Sequence, residues 1–255
     1  MSGFATALGF YTRLRVRGTS SSSRDLAAAT PWFPVVGAGI GASVAGVYVA
    51  SAAVLPNLLA ATLAAAAGAL LTGAFHEDGL ADVADAFAGG WTPERRLEIL
   101  DDPRLGTFGV IAVVASFLAR VSAIATFDTA AAIALLPAAH ALSRVPAIVL
   151  MRRQRPARSE GLAATLARDV GAMHEGLAVA LGLALAAALI GPWALAAVVM
   201  TVLVSVAMAA LAQRKIGGTN GDVLGATQQL AELTILVLGV AIVHNAWGEF
   251  PWWAA

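Results

Sequence analysis

The chain has 255 residues, of which 59% are hydrophobic and only 13% charged, and its 16 basic and 16 acidic residues give a net charge of zero. Soluble domains carry about 25% charged residues, so this composition excludes an ordinary soluble globular fold. The absence of cysteine excludes a disulfide framework, a thiolate metal site and a cysteine nucleophile.

The N-terminal segment places apolar residues at helical spacing around a group of arginines, which favours a short amphipathic helix at the membrane interface. The apolar positions are Phe4, Ala7, Leu8, Tyr11 and Leu14, and the basic positions are Arg13, Arg15 and Arg17. Positive charge follows the apolar stretch rather than preceding it, so we expect no cleavable signal peptide and assign targeting to the membrane spans themselves.

A membrane-spanning helix needs about 20 mostly apolar residues. Seven stretches meet or nearly meet this length: 32–54, 57–75, 107–127, 129–151, 175–191, 193–212 and 224–246. Gly and Ala are abundant in these stretches, which favours close packing of helices in lipid. The sequence therefore predicts an all-α fold: a single integral membrane domain over residues 1–255, built as a polytopic bundle of about seven transmembrane helices.

The basic residues predict the orientation of this bundle, because Lys and Arg near the ends of spans are retained on the cytoplasmic side. With the N-terminus placed inside, 14 of the 16 basic residues fall in inner segments, and the other two, Arg120 and Arg144, lie within predicted spans. We expect a cytoplasmic N-terminus, a location in the cell inner membrane and no nucleic-acid partner. Two inner segments then carry the chemistry: an acidic loop at 76–106 and a glycine-rich loop at 212–223.

Three aspartates of the acidic loop, Asp78, Asp82 and Asp85, recur at i, i+4 and i+7. On a helix this spacing places them on one stripe about 10 Å long, where their charges repel unless a cation or hydrogen-bond donors neutralise them. Without cysteine, such oxygen ligands favour magnesium, manganese or calcium, and magnesium typically binds one or two carboxylates together with substrate phosphates. We therefore expect Mg²⁺ and a phosphorylated substrate. In the alternative interpretation, the aspartates cap a helix and solvate a loop.

A second acid pair, Asp101 and Asp102, follows a short helix predicted from its N-cap, Thr92, through Leu100. Asp102 could complete a metal site, and Arg104 could hold a phosphate through charge-assisted hydrogen bonds. In the alternative interpretation, Arg104 is one more basic residue of an inner loop.

The segment 217–226 is rich in glycine and precedes the last predicted span, so its backbone amides and the helix dipole could hold a phosphate. Within that span, Glu232 is an ionisable group in a costly position. We expect it to pair with Arg120 or Arg144, either as a functional group or as a structural ion pair. The remaining histidines, His140, His174 and His244, are expected to be packing or interface residues.

Taken together, these blocks resemble cobalamin synthase, a family of membrane adenosylcobinamide-GDP ribazoletransferases. The resemblance covers nearly the whole chain, through residues 75–109, 143–144, 160–162 and 217–232. Four positions depart from the usual residue of the family: Glu77 replaces an apolar residue, Ala86 a glycine, Pro103 a serine and Asn220 a threonine. None of these departures removes an aspartate of the candidate site.

The resemblance implies that the ribose 3′-hydroxyl of α-ribazole, or of its 5′-phosphate, attacks the cobinamide-side phosphorus of adenosylcobinamide-GDP and expels GMP, with Mg²⁺ required. The lipid bilayer and these two substrates are the expected partners, and a homo-oligomer is left open. Asp78, Asp82 and Asp85 are the expected metal ligands, and Asp82, Asp102 and His76 the expected catalytic residues. The residues expected to bind substrate are Arg104, Arg144, Arg153, Gly218, Thr219, Asn220 and Asp222.

Two other functions stay open from the residues alone. CDP-alcohol phosphotransferase-like enzymes also use several membrane-surface aspartates and a divalent ion, but their usual aspartate and glycine spacing is not reproduced here. A secondary transporter would line its path with acids and arginines inside the spans. Most acids of this chain lie instead at the ends of inner loops, and no paired inverted halves are evident. Release of GMP or CMP would separate the enzymes from the transporter.

Overall fold

The structure is a computed structural model that describes residues 3–20, 22–248 and 250. These residues form α-helices, one 3-10 turn at Thr30–Trp32 and one isolated β-bridge, so the predicted all-α fold is confirmed. The helices are α1 (Gly3–Tyr11), α2 (Ser23–Ala29), α3 (Phe33–Ala52), α4 (Asn57–Thr72), α5 (Phe75–Gly89), α6 (Pro93–Leu100), α7 (Thr107–Ala125), α8 (Thr129–Leu142), α9 (Val145–Arg153), α10 (Leu162–Asp169), α11 (Ala172–Ile190), α12 (Trp193–Ile216) and α13 (Gly221–His244).

Six helical stretches in the described part of the chain are long and apolar enough to cross a membrane. They are Ser23–Ala52, Thr107–Ala125, Thr129–Arg153, Ala172–Ile190, Trp193–Ile216 and Gly221–His244. Helices α4 and α5 would add a seventh span if they are taken together, although they meet at an angle of 90°. The chain is therefore a multi-pass membrane protein, and the prediction of about seven spans agrees with its structure.

The second predicted span, 57–75, is shorter than expected because the helix breaks within it. Helix α4 ends at Thr72, and the next two residues, Gly73 and Ala74, have positive φ angles of 70° and 55°. Such left-handed residues end a helix and redirect the chain. The acidic segment that follows, predicted as a loop at 76–106, consists largely of α5 and α6. Thr92 caps α6 as predicted, since its side chain accepts the backbone N–H of Arg95.

Small residues allow the helices to pack closely, as the abundance of Gly and Ala predicts. Along the contact between α3 and α8, a Cβ built on Gly41 would lie 2.7 Å from the backbone carbonyl carbon of Leu136. One turn earlier, Gly37 meets the backbone carbonyl of His140 in the same way. Any side chain at these positions would force the two helices apart.

Polar contacts gather the predicted inner segments at one end of the bundle. The backbone N–H of Arg13 donates to Leu71 O at 2.8 Å, and Lys215 Nζ donates to Phe87 O at 3.0 Å. Arg158 Nη1 donates to a carboxylate oxygen of Asp101 at 2.7 Å. These contacts join the N-terminal segment to the end of α4, the end of α12 to α5, and the segment before α10 to the end of α6.

Candidate active site

The acidic stripe on α5 is joined by a fourth acid from α13. Gly79 brings α5 against the first turn of α13, where a Cβ at position 79 would lie 2.9 Å from the carbonyl oxygen of Asp222. Asp82 is half-buried and experiences the negative charges of Asp78, Asp222 and Asp85. Asp78 and Asp222 also repel each other. The two helices thus assemble a cluster of like charges, which a bound cation would stabilise.

Asp85 occupies a different environment from the other acids. Its Oδ2 accepts the backbone N–H of Gly106 at 2.7 Å, and its Oδ1 accepts that of Gly109 at 2.8 Å. These amides belong to the first turn of α7, where unpaired N–H groups and the helix dipole stabilise a carboxylate. A Cβ at Gly106 would lie 2.5 Å from Asp85 Oδ1, so a larger residue there would displace the carboxylate. This geometry gives Asp85 a structural role in joining α5 to α7, while its role as a metal ligand stays a prediction.

The acid cluster offers oxygen ligands of the kind that magnesium binds, but not a closed set of ligands. The residues that the structure describes include no group of three or more His, Asp or Glu side chains arranged to hold one metal ion. A preassembled metal cage is therefore not seen in this part of the chain. The donor chemistry nevertheless fits Mg²⁺, which usually takes only one or two carboxylates and completes its coordination with water and substrate phosphates. Asp78 is exposed and Asp82 half-buried, so both carboxylates are open to such a shared site.

Asp102 and Arg104 form an ion pair in the turn between α6 and α7. Arg104 Nε donates to Asp102 Oδ1 at 2.9 Å, and Nη2 donates to Oδ2 at 2.6 Å. These hydrogen bonds from Arg104 lower the pKa of Asp102 to about 2. A carboxylate with so low a pKa is a weak proton acceptor at neutral pH. The structure therefore supports a role for Asp102 in orienting Arg104 better than the predicted role as a base.

Backbone conformation and close packing explain the glycines at positions 217 and 218 of the predicted glycine-rich loop. Gly217 has a φ of 75° and ends α12. At Gly218 the loop runs against the segment before α10, where a Cβ would lie 2.9 Å from the backbone nitrogen of Ala157. The backbone N–H of Ala157 in turn donates to Thr219 O at 2.7 Å. This close pairing accounts for Gly218 without a substrate phosphate.

The N-terminus of α13 is already occupied by side chains of the chain itself. Asn220 Oδ1 accepts the backbone N–H of Val223 at 3.0 Å, and Asn220 Nδ2 donates to Asp222 Oδ2 at 2.7 Å. A carboxylate in the first turn repels a second anion. The predicted phosphate site at this helix end therefore stays a prediction.

Two arginines predicted to bind substrate have partners within the protein. Arg153 Nε donates to Glu175 Oε1 at 2.7 Å, although the Arg153 side chain is still 66% exposed. Arg144 is only 1% exposed, donates to the backbone carbonyl of His140 and lies over the ring of Tyr11, with 5.1 Å between its Cζ and the ring centroid. Arg153 thus remains near the surface, whereas the position of Arg144 is explained by packing inside the bundle.

A buried polar network connects the start of α5 with α7, α8 and α13. Arg120 Nη1 donates to Glu77 Oε1 at 3.2 Å, and Arg120 Nε lies 3.4 Å from Glu232 Oε1. The predicted pairing of Glu232 with Arg120 is thereby confirmed. His140, which was expected only to pack, lies 3.1 Å from the other carboxylate oxygen of Glu232. That expectation was wrong, because a buried carboxylate needs more than one polar partner.

Sequence reasoning missed several members of this network. Gln228 Nε2 donates to Glu232 Oε2 at 2.8 Å, and Gln229 Oε1 accepts a hydrogen bond from Arg120. The signal that could have found them is the pair of adjacent glutamines within an otherwise apolar span. Glu77 offers a second signal, since it places a charge where the similar family has an apolar residue.

His76 lines an apolar cavity of about 340 Å³. It is 4% exposed, and its ring stacks on that of Tyr11 with centroids 5.5 Å apart. Thr219, Asn220 and Gly221 border the same cavity. A second, more open cavity of about 580 Å³ is lined by Glu77 and Asp78. Phe10 and Phe75 contribute to the walls of both cavities.

Comparisons with known proteins identify the family of this chain. The family model for cobalamin-5-phosphate synthase matches residues 3–240. The adenosylcobinamide-GDP ribazoletransferase of Azorhizobium caulinodans is 41% identical, over 95% of this chain and 96% of that protein. The enzyme of the same name from Bradyrhizobium diazoefficiens is 42% identical over 92% of both chains. A third, from Ralstonia nicotianae, is 41% identical over 90% of this chain and 91% of its own length.

No solved structure is significantly similar to this chain. The family match nevertheless covers nearly all of it, and the relatives are aligned over nearly their whole length. The predicted resemblance is confirmed, and the chain therefore belongs to the cobalamin-5-phosphate synthase family.

Proposed function

We propose that this protein transfers the adenosylcobinamide-phosphate moiety of adenosylcobinamide-GDP to α-ribazole or its 5′-phosphate. The products are GMP and adenosylcobalamin or its 5′-phosphate. The observation that carries the proposal is the acid cluster of α5 and α13, found in a chain that is 41% identical to a ribazoletransferase over 95% of its length. Carboxylates of this kind suit a reaction in which a diphosphate must be neutralised and broken.

In this reaction the ribose 3′-oxygen forms a bond to the cobinamide-side phosphorus, and the bond from that phosphorus to the bridging oxygen breaks. GMP leaves with the bridging oxygen, and the hydroxyl proton passes to a base. We assign the base role to Asp82, because it is half-buried and interacts with every other acid of the cluster. A positioned carboxylate base contributes about 100-fold or more to such a step.

Asp78 and Asp222 are the carboxylates left to hold Mg²⁺, since Asp85 uses both of its oxygens to bind the first turn of α7. Bound there, Mg²⁺ would neutralise the diphosphate and stabilise the leaving oxygen. Of the three predicted metal ligands, this assignment keeps Asp78, gives Asp82 the base role alone and replaces Asp85 with Asp222. Arg104 has a guanidinium that is 86% exposed and oriented by Asp102, so it can bind a phosphate of the nucleotide.

The distribution of basic residues supports a place for this reaction at the cytoplasmic face of the inner membrane. Fourteen of the 16 Lys and Arg lie in the predicted inner segments, and two of these residues, Arg158 and Lys215, contact the chain at the ends of α6 and α5. Under the positive-inside rule, that end of the bundle faces the cytoplasm. The soluble nucleotide and ribazole would then reach the site directly.

The proposal is tested with purified, detergent-solubilised protein supplied with adenosylcobinamide-GDP and α-ribazole. We expect one GMP to be released for each cobalamin formed, as measured by chromatography and mass spectrometry, and only with Mg²⁺ present. Folded protein that releases no GMP under these conditions would contradict the proposal. Release of CMP from a CDP-alcohol would instead support a lipid phosphotransferase.

A further inference from the structure

The apolar cavity beside His76 has the size and lining of a small-molecule pocket. Its volume of about 340 Å³ falls within the range of about 300–1,000 Å³ usual for such pockets. Four aromatic side chains contribute to its wall: Phe10, Tyr11, Phe33 and Phe75. Phe10 and Phe33 stack with centroids 5.6 Å apart and planes 6° from parallel. Flat apolar rings are the ligands that such a wall favours.

Two residues that line the cavity each carry a buried polar atom that lacks a partner among the described residues. Thr219 is 4% exposed and Gln228 is 2% exposed, and both line the cavity. Neither Thr219 Oγ1 nor Gln228 Oε1 has a hydrogen-bond partner in the part of the chain described. Leaving a buried polar atom unpaired costs about 1–3 kcal/mol. A ligand that supplies one donor and one acceptor would remove that cost.

The side chain of Gln228 is held so that its oxygen stays available. Its Nε2 donates to Ser143 Oγ at 3.1 Å and to Glu232 Oε2 at 2.8 Å. Both of its N–H groups are thereby used, and Oε1 is left as an acceptor. The hydroxyl of Thr219 can either donate or accept.

The cavity also adjoins the acid cluster at the start of α13, because Gly221 of its rim immediately precedes Asp222. A ligand that fills the cavity can therefore extend a polar group toward the carboxylates. The acceptor substrate of the proposed reaction needs this arrangement, because its hydroxyl must reach the phosphorus that the cluster activates.

We propose that this cavity binds the benzimidazole ring of α-ribazole and directs its ribose toward the acid cluster. Thr219 Oγ1 donates to the unprotonated ring nitrogen, and Gln228 Oε1 accepts from a ribose hydroxyl. The inference rests on the proposed function. The corrin ring of the other substrate fits less well, because it is too large for about 340 Å³.

The test compares Michaelis constants for the two substrates in cavity variants. Ala163 lines the cavity from α10, so Ala163→Phe should fill it and raise the KM for α-ribazole at least tenfold. The KM for adenosylcobinamide-GDP should change less than twofold. Ala180→Phe, on the exposed face of α11, is the matched control and should change neither constant. The ribose derivative of unmethylated benzimidazole, whose ring is smaller, should lose less affinity for Ala163→Phe than α-ribazole does.

Thr219→Val provides a second variant that keeps the size and backbone pairing of the residue. Loss of one hydrogen bond should raise the KM for α-ribazole about three- to tenfold. Thr234→Val is its control, because the Thr234 hydroxyl donates to the backbone carbonyl of Leu230 in its own helix. If both cavity variants leave the KM for α-ribazole unchanged, or if they raise the KM for adenosylcobinamide-GDP instead, the inference is overturned.

Direct binding separates this inference from the proposed function. Equilibrium dialysis of α-ribazole against the wild type and the same variants needs no turnover. Wild-type protein that binds α-ribazole, loses that binding in Ala163→Phe and releases no GMP would contradict the reaction while supporting the pocket. Wild-type protein that releases GMP and keeps its α-ribazole affinity in Ala163→Phe and Thr219→Val would contradict the pocket alone.

Discussion

Gly79 lies so close to Asp222 that a Cβ at position 79 would stand 2.9 Å from the Asp222 carbonyl oxygen and 3.1 Å from its Cα. The contact joins the middle of the chain to its last helix, 143 positions later (222 minus 79). Because backbone atoms cannot move aside as a side chain can, a larger residue at position 79 must separate α5 from α13. The distances among the acids of the cluster would then change.

Gly79→Ala should therefore reduce activity strongly, by about 100-fold if the helices shift by 1 Å. Helix propensity alone would favour alanine, so a loss of activity reports on the contact rather than on the stability of α5. The measurement is kcat in the GMP-release assay. Gly89→Ala is the matched control, since nothing lies within 4 Å of a Cβ there. Equal activity of the two variants would show that the α5–α13 contact does not position the acids.

Asp85→Ala should lower stability more than Asp85→Asn. Alanine leaves the N–H groups of Gly106 and Gly109 unpaired, whereas asparagine keeps one oxygen acceptor. Loss of a carboxylate that caps a helix costs about 1–2 kcal/mol, measured by unfolding in mixed detergent micelles. The Mg²⁺ concentration for half-maximal activity should stay the same in Asp85→Asn. A large rise in that concentration would restore Asp85 to the metal site.

The ion pair of Asp102 and Arg104 predicts that the loss of activity in Asp102→Asn does not depend on pH. Hydrogen bonds from Arg104 lower the pKa of Asp102 from 3.8 to about 2, so the carboxylate is ionised at every pH above about 4. Its contribution to stability is present in that range and is lost only as the pH falls toward 2. The activity of Asp102→Asn relative to wild type should therefore be constant from about pH 5 to pH 9. A ratio that rises toward low pH would indicate that Asp102 titrates during catalysis.

Removing one charge from the buried network should lower the free energy of unfolding substantially. Arg120 and Arg144 face the carboxylates Glu77 and Glu232 inside the bundle. Glu232→Gln leaves two cations with one anion, which should destabilise the protein by about 3 kcal/mol. Glu98→Gln, which breaks an exposed pair with Arg95, should cost less than about 1 kcal/mol. Similar unfolding midpoints for the two variants would contradict the assigned role of the network.

Much of the fold could be predicted from the sequence, because long apolar stretches have one stable form in lipid. The break at Gly73 and Ala74 could not, since it depends on left-handed backbone angles in two small residues. The aspartate stripe was predicted as a group from its helical spacing. The separation of Asp85 from the other acids depends on the approach of α7, a tertiary contact that helical spacing does not specify.

The buried partners of Glu232 show a second limit of prediction from the sequence. Arg120 was predicted from the need to neutralise a charge in a span. Gln228 lies four residues before Glu232 on α13 itself, where the adjacent glutamines were a signal. His140 approaches Glu232 because α8 packs against α13, and no local pattern marks it. The apolar cavity has the same origin, since its wall combines residues from the N-terminal helices, α5, α10 and α13.

The most direct test of the account is the Mg²⁺ dependence of GMP release in wild type, Asp82→Asn, Asp78→Asn and Glu98→Gln. We expect Asp82→Asn to lose about 100-fold or more in kcat at an unchanged half-saturating Mg²⁺ concentration. Asp78→Asn should need more Mg²⁺, and Glu98→Gln should match wild type. GMP release in Asp82→Asn at the wild-type rate would contradict the claim that the acid cluster of α5 and α13 catalyses the transfer.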